Sequence, residues 1–84
     1  GHILQRTTPQ YPPQALRRGI EGVTELEVKI DAEGIPLEIK VLRSSGRFDF
    51  DASAEEAVKS WTFAPLEGQD SLWVKVVVEF KLTN

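Results

Sequence analysis

The side chains of this chain that could do chemistry are few and clustered: Asp49, Asp51, Glu55 and Glu56 in one stretch, Asp31 and Glu33 beside Gly34, and Ser44 and Ser45 before Gly46. Two carboxylates as close as Asp49 and Asp51 could divide the roles of a small hydrolase or help to hold a cation. No histidine joins them except His2, at the other end of the chain. Asp31-Ala32-Glu33-Gly34 matches only the start of a calcium loop, because the remaining ligands of that pattern are missing. Ser44 and Ser45 have no histidine base to activate them. With no cysteine in the chain, thiol catalysis, disulfides and cysteine-ligated zinc are removed together. The carboxylates have a simpler use: Asp49 or Asp51 can cap a helix whose opening residues include Ser53, Glu55 and Glu56, where negative charge suits the helix dipole. The expectation is a protein that is not an enzyme, with no catalytic, metal or cofactor site.

The elements that must position any function follow from periodicity. Ile3 to Thr8 reads as an extended arm. In Pro9-Gln10-Tyr11-Pro12-Pro13 the tyrosine anchors an extended lead-in, and the prolines preset a short helix from Pro12 to Arg18 that stops at Gly19. Two turns do not survive alone in water, so this helix must dock, through Leu16 with Ala15 or Ile20. Val23 to Asp31 alternates, Leu26, Val28 and Ile30 against Glu25, Glu27 and Lys29. A turn at Ala32 to Gly34 leads to Leu37, Ile39 and Val41, which alternate with Glu38 and Lys40, so an antiparallel neighbour with one buried face is expected. Ala54, Ala57, Val58 and Trp61 make one apolar stripe of a second helix that ends at a core tryptophan. Leu72 to Leu82 is the longest strand candidate. Leu72, Val74, Val76, Val78, Phe80 and Leu82 should face the core, with Trp73, Lys75, Val77, Glu79 and Lys81 outward.

Length and charge bound the class. An 84-residue chain, 40% hydrophobic and 27% charged, is one domain with a packed core. A net charge of −3 with mixed signs carries no footprint for phosphate backbones, so nucleic acid is not an expected partner. Gly1-His2 reads as the remnant of a cleaved tag, leaving the domain at residues 3–84. The fold expected is α+β, with two helices packed on one face of a three-stranded, mainly antiparallel sheet, to which a short extra amino-terminal strand could be added. An edge strand of that sheet would offer unpaired backbone groups to an extended peptide.

Taken in order, the Pro9 to Gly22 run, Ile30-Asp31-Ala32-Glu33-Gly34, Val41 to Gly46, the helix from Phe50-Asp51 to Trp61, Phe63-Ala64-Pro65 and the closing Val76 to Leu82 resemble the carboxy-terminal domain of the TonB family, over nearly the whole chain. The resemblance implies a periplasmic domain of an energy transducer. Its last strand, Lys75, Val76, Val77, Val78, Glu79, Phe80, Lys81 and Leu82, would pair with the TonB-box peptide of an outer-membrane transporter, and Pro9, Gln10, Tyr11 and Pro12 would face the receptor. Trp73, outward on that strand by alternation, is a further contact candidate. The resemblance also implies an inner-membrane anchor and motor proteins engaged upstream of this segment, driven by proton-motive force. Thr7 and Thr8 stand where larger polar residues such as glutamine occur in the best-known members. A rival reading keeps the fold but makes the domain a TolA-like or sensor-associated interaction module, a homodimer closed through the same edge strand.

Overall fold

The computed structural model describes residues 3–83; Gly1, His2 and Asn84 lie outside the described residues. The elements in order are β1 (Ile3–Gln5), α1 (Pro13–Arg18), β2 (Gly22–Asp31), β3 (Pro36–Arg43), α2 (Phe48–Val58), β4 (Thr62–Phe63) and β5 (Ser71–Phe80). The principal sheet has the order β3-β2-β5 and is antiparallel throughout, so the expected α+β arrangement is present. Its register follows from the alternation of β2: Thr24, Leu26, Val28 and Ile30 are buried on the helix side, and β5 contributes Val76, Val78 and Phe80 to the same layer. Phe50, Ala54 and Val58 of α2 close the core from above, with Trp61 and Phe63 at its end.

Several expectations are corrected. Helix α1 starts at Pro13 and docks through Ala15, which is fully buried, whereas Leu16 is 52% exposed. With only six residues, α1 has room for one inward position, and the flanking Tyr11 and Ile20 supply the rest of its contact with the core. Gly19 ends it in the left-handed region at φ 67°, its N–H bonded to the Leu16 carbonyl. Helix α2 opens at Phe48, ahead of the expected start, with Arg47 at the N-cap position and no side-chain cap hydrogen bond, so neither aspartate is the cap and both lie in the first turn. Strand β5 ends at Phe80, so Lys81 and Leu82 lie beyond it; Leu72 is on the core side opposite Ile30, as expected, but stays 39% exposed at the end of the sheet. A second sheet, β1 with β4, pairs Ile3 with Phe63 and Gln5 with Thr62. Two strands this short carry no legible alternation.

Neither acidic motif is a reactive pair. Asp49 takes two bonds from Arg47, Nε to Oδ1 at 3.0 Å and the terminal nitrogen to Oδ2 at 2.9 Å, which hold its carboxyl below the usual range. Asp51 is instead a hub. Its carboxylate accepts from Thr24 Oγ1 (2.8 Å), Ser45 N (3.0 Å), Ser45 Oγ (2.8 Å) and Ser44 Oγ, tying α2 to β2 and to the loop after β3. Partial burial pushes the Asp51 carboxyl up, and these donors outweigh it, so the net direction is down. Asp31 makes the hairpin turn, its Oδ1 accepting from the N–H of Glu33 and of Ile35, both at 2.9 Å.

Gly34 sets how closely that turn meets β4. It sits at φ +85°, and a Cβ there would fall 1.9 Å from the Phe63 carbonyl oxygen, while the Phe63 N–H bonds the Gly34 carbonyl at 2.8 Å. Gly34→Ala is therefore expected to cost at least about 2 kcal/mol in urea unfolding, combining the strained backbone with a clash against main chain that cannot rotate away. For Asp51 the folded pKa is depressed, so its stabilising contribution is complete above the ordinary carboxylate range and is lost as the pH falls through that range to the lower folded value. Asp51→Asn should lower the urea midpoint at pH 7 and flatten the loss of stability between about pH 5 and pH 2; midpoints measured across that range check both effects.

Candidate peptide-binding edge

Strand β5 pairs with β2 residue for residue, from Gly22 opposite Phe80 to Asp31 opposite Ser71, without a register shift. Its other flank has no partner strand among the described residues. The opposite outer strand, β3, shows two shifts against β2, one near each end. Bulges of that kind bend an edge and interrupt its row of donors and acceptors. β5 has neither bulge nor proline, so its free flank is a straight, uninterrupted template.

The side chains of the predicted pairing segment divide by face. Val76, Val78 and Phe80 are buried in the core and can meet a partner only through their backbone. Val77 is 50% exposed on the open face, between exposed Lys75 and Glu79. Lys75 reaches across to Glu25 at 3.2 Å. Leu82 continues past the strand, where its N–H bonds the Glu21 carboxylate at 2.7 Å. Trp73 is half-buried on the outward face, as alternation requires, with the Lys40 ammonium 4.6 Å from the centre of its ring.

Beside β5 runs the arm that precedes α1. Arg6, Thr7, Thr8 and Pro9 form one wall of a groove of about 400 Å³, Val77, Val78 and Glu79 form the other, and Trp61 lies between them. Short polar contacts hold the arm in place. The Trp61 indole N–H donates to the Thr7 carbonyl at 2.9 Å, the hydroxyls of Thr7 and Ser60 meet at 2.8 Å, and Ser53 Oγ donates to the Gln10 carbonyl. Arg6 stacks its guanidinium 5.2 Å from the Trp61 ring. On the far side of the arm a second groove, about 460 Å³, is lined by Thr7, Thr8, Gln10, Asp49, Ser53 and Ser60 among others.

Of the predicted receptor-facing residues, Gln10 is exposed and Pro9 half-buried, whereas Pro12 is buried. Tyr11 is a packing residue. Its ring meets Phe50 and Phe80 edge-on, with centroids at 5.6 and 5.7 Å, and those two rings stack at 4.4 Å. Its hydroxyl donates to the Ile20 carbonyl, and burial together with nearby Glu21 pushes the phenol pKa up. Sequence reasoning did not single out Arg6, Thr7, Thr8 and Trp61 as parts of one groove. No periodicity marks an irregular arm, and the link between Thr7 and Trp61 spans most of the chain.

Comparison with known proteins gives the family and the fold. Residues 7–82 match the pattern of the family described as Gram-negative bacterial TonB protein C-terminal. The chain is 45% identical over 82 residues to protein tonB2 of Pseudomonas aeruginosa, covering 94% of this chain and 30% of that protein. It is 46% identical over 63 residues to TonB of Vibrio cholerae, covering 75% and 26%. The solution NMR structure of the Pseudomonas aeruginosa TonB CTD superposes with a TM-score of 0.78 at 28% identity, over 98% of this chain and 86% of that one. A structure of the tonb2 protein from Vibrio anguillarum gives 0.75 at 32% identity, over 100% and 83%. This segment thus spans less than a third of the length of those two relatives, and it belongs to the TonB C-terminal domain family.

Proposed function

We propose that this domain is the periplasmic, receptor-binding end of a TonB-like energy transducer, and that it takes the TonB-box peptide of an outer-membrane transporter as an added strand on β5. The observation that carries the reading is the free flank of β5, regular over its whole length and bordered at Val77–Glu79 by the groove under the arm. An extended peptide there gains main-chain hydrogen bonds for affinity, while Val77, Lys75 and Glu79 on one face and the arm residues on the other read its side chains. The domain works by interaction, without catalysis.

Strand addition also suits the transmission of force. In the proposed mechanism, inner-membrane motor proteins act through the part of the transducer upstream of this domain and use proton-motive force to pull on the paired strands. Load applied along the strands is shared by several hydrogen bonds at once, whereas peeling from one end breaks them singly. Pro9 and Gln10, the more accessible residues of the Pro9–Pro12 run, face the receptor beside the peptide; Tyr11 and Pro12 fix the arm that carries them. The same open flank would equally admit β5 of a second copy, which is the alternative of a dimeric interaction module.

A backbone amide NMR titration with TonB-box peptides separates these readings. Shifts are expected on Lys75–Phe80 and Arg6–Gln10. A β5 already paired in a stable dimer, unmoved by any peptide, would favour the module. Trp61→Phe removes the indole donor to Thr7 and loosens the groove wall. It should weaken peptide binding several-fold, read by calorimetry, as one hydrogen bond and lost preorganisation would predict. Unchanged affinity would show that the arm takes no part.

A further inference from the structure

The run from Ile3 to Gln10 is tied to the domain by polar contacts and buries little of its own surface. No side chain in it is buried; Ile3 and Pro9 are half-buried, and Leu4 is 68% exposed. Its ties come in order along the chain. β1 pairs with β4 at Ile3–Phe63 and Gln5–Thr62, the Thr7 carbonyl accepts from the Trp61 indole, the Thr7 hydroxyl meets Ser60, and the Gln10 carbonyl accepts from Ser53. From Tyr11 onward the character changes. Tyr11 packs on Phe50 and Phe80, and both Pro12 and Ala15 are buried. Segments with few buried apolar contacts open at a lower free energy than the core they lie on.

We infer that residues 3–10 form a strap that opens as one unit, pivoting at Tyr11, while the rest of the fold stays closed. What the strap leaves behind is held by other bonds. The Phe63 N–H bonds the Gly34 carbonyl at 2.8 Å and the Leu66 N–H bonds the Ala32 carbonyl at 2.9 Å, so β4 keeps its place beside the hairpin turn. The Phe63 ring belongs to the main core. The Trp61 indole N–H loses its acceptor on Thr7 and meets water instead, which makes it a reporter of opening.

Opening takes Arg6–Pro9, one wall of the groove, away from β5. Load entering at Ile3 from the preceding chain meets the ties one at a time from the free end, whereas β5 is joined to β2 along its whole length. The strap therefore yields first and releases roughly 26–29 Å of extended chain, at ~3.3–3.6 Å per residue. Its effect on a bound peptide rests on the strand-addition reading: tension on the upstream chain dismantles one wall of the site and weakens the hold on the peptide.

Hydrogen exchange of the peptide-free domain tests the strap, with a lockable variant Q5C/T62C. Residues directly opposite on antiparallel strands lie within the reach of a disulfide, and the chain has no other cysteine. Relative to intrinsic rates, the Trp61 indole N–H is expected to be at least about 100-fold less protected than the β5 amides bonded to β2, and to open together with the paired amides of β1. Oxidising Q5C/T62C should close most of that gap, and reduction should reopen it. An indole as well protected as those amides would overturn the inference, and so would a gap that oxidation leaves open. In calorimetry, a TonB-box peptide should bind the oxidised variant several-fold more tightly than the reduced one. Equal affinities would overturn the link between strap and site and leave strand addition standing. Binding by neither form, with the exchange result as expected, would overturn strand addition alone.

Discussion

The packing of Tyr11 against Phe50 and Phe80 is the contact on which the rest of the site depends. Those three rings come from the arm, the second helix and the last strand, and they meet within 6 Å of one another. Each such pair contributes about 0.5–1.5 kcal/mol beyond its buried area. The larger consequence is positional. With Tyr11 fixed between α2 and β5, the residues just before it must run beside β5, and the groove at Val77–Glu79 acquires its second wall. The Pro12-Pro13 step then turns the chain into α1 without loosening that anchor.

How legible each element is depends on how regular it is. The alternation of Leu26, Val28 and Ile30 fixes the central strand, and the stripe of Ala54, Ala57 and Val58 fixes the buried face of α2, because repetition over several residues leaves little choice of orientation. Short elements escape that logic. A six-residue helix can bury either Ala15 or Leu16 on hydrophobicity alone, and only the folded chain shows that Ala15 is the one turned inward. Asp51 looks like a helix cap in sequence. Only the folded chain brings Thr24 and Ser45 within reach and makes its carboxylate a tie between strand and helix. The arm groove was illegible for a related reason, since Thr7 and Trp61 meet only through tertiary structure.

The two edges of the sheet manage their unpaired backbone differently. β3 is shifted near both ends and keeps a short regular centre, with an apolar row on one face and alternating charge on the other. β5 stays regular for its full length, with Lys75 and Glu79 on its open face and neither bulge nor proline. Charged side chains on the open face discourage stacking of sheets while leaving the in-plane row of donors and acceptors available. The proposed extended peptide suits the second edge better than the first.

The most direct test of strand addition is residue-resolved hydrogen exchange of β5 with and without a bound TonB-box peptide. Alternate amides of an antiparallel edge strand already point to its one neighbour, so the free domain should protect every second amide between Lys75 and Phe80 and leave the intervening ones fast. Protection of those fast amides on peptide binding, with the others unchanged, is the predicted result. A peptide that binds while the outward-facing amides of β5 remain fast would contradict the account and move the site away from this edge.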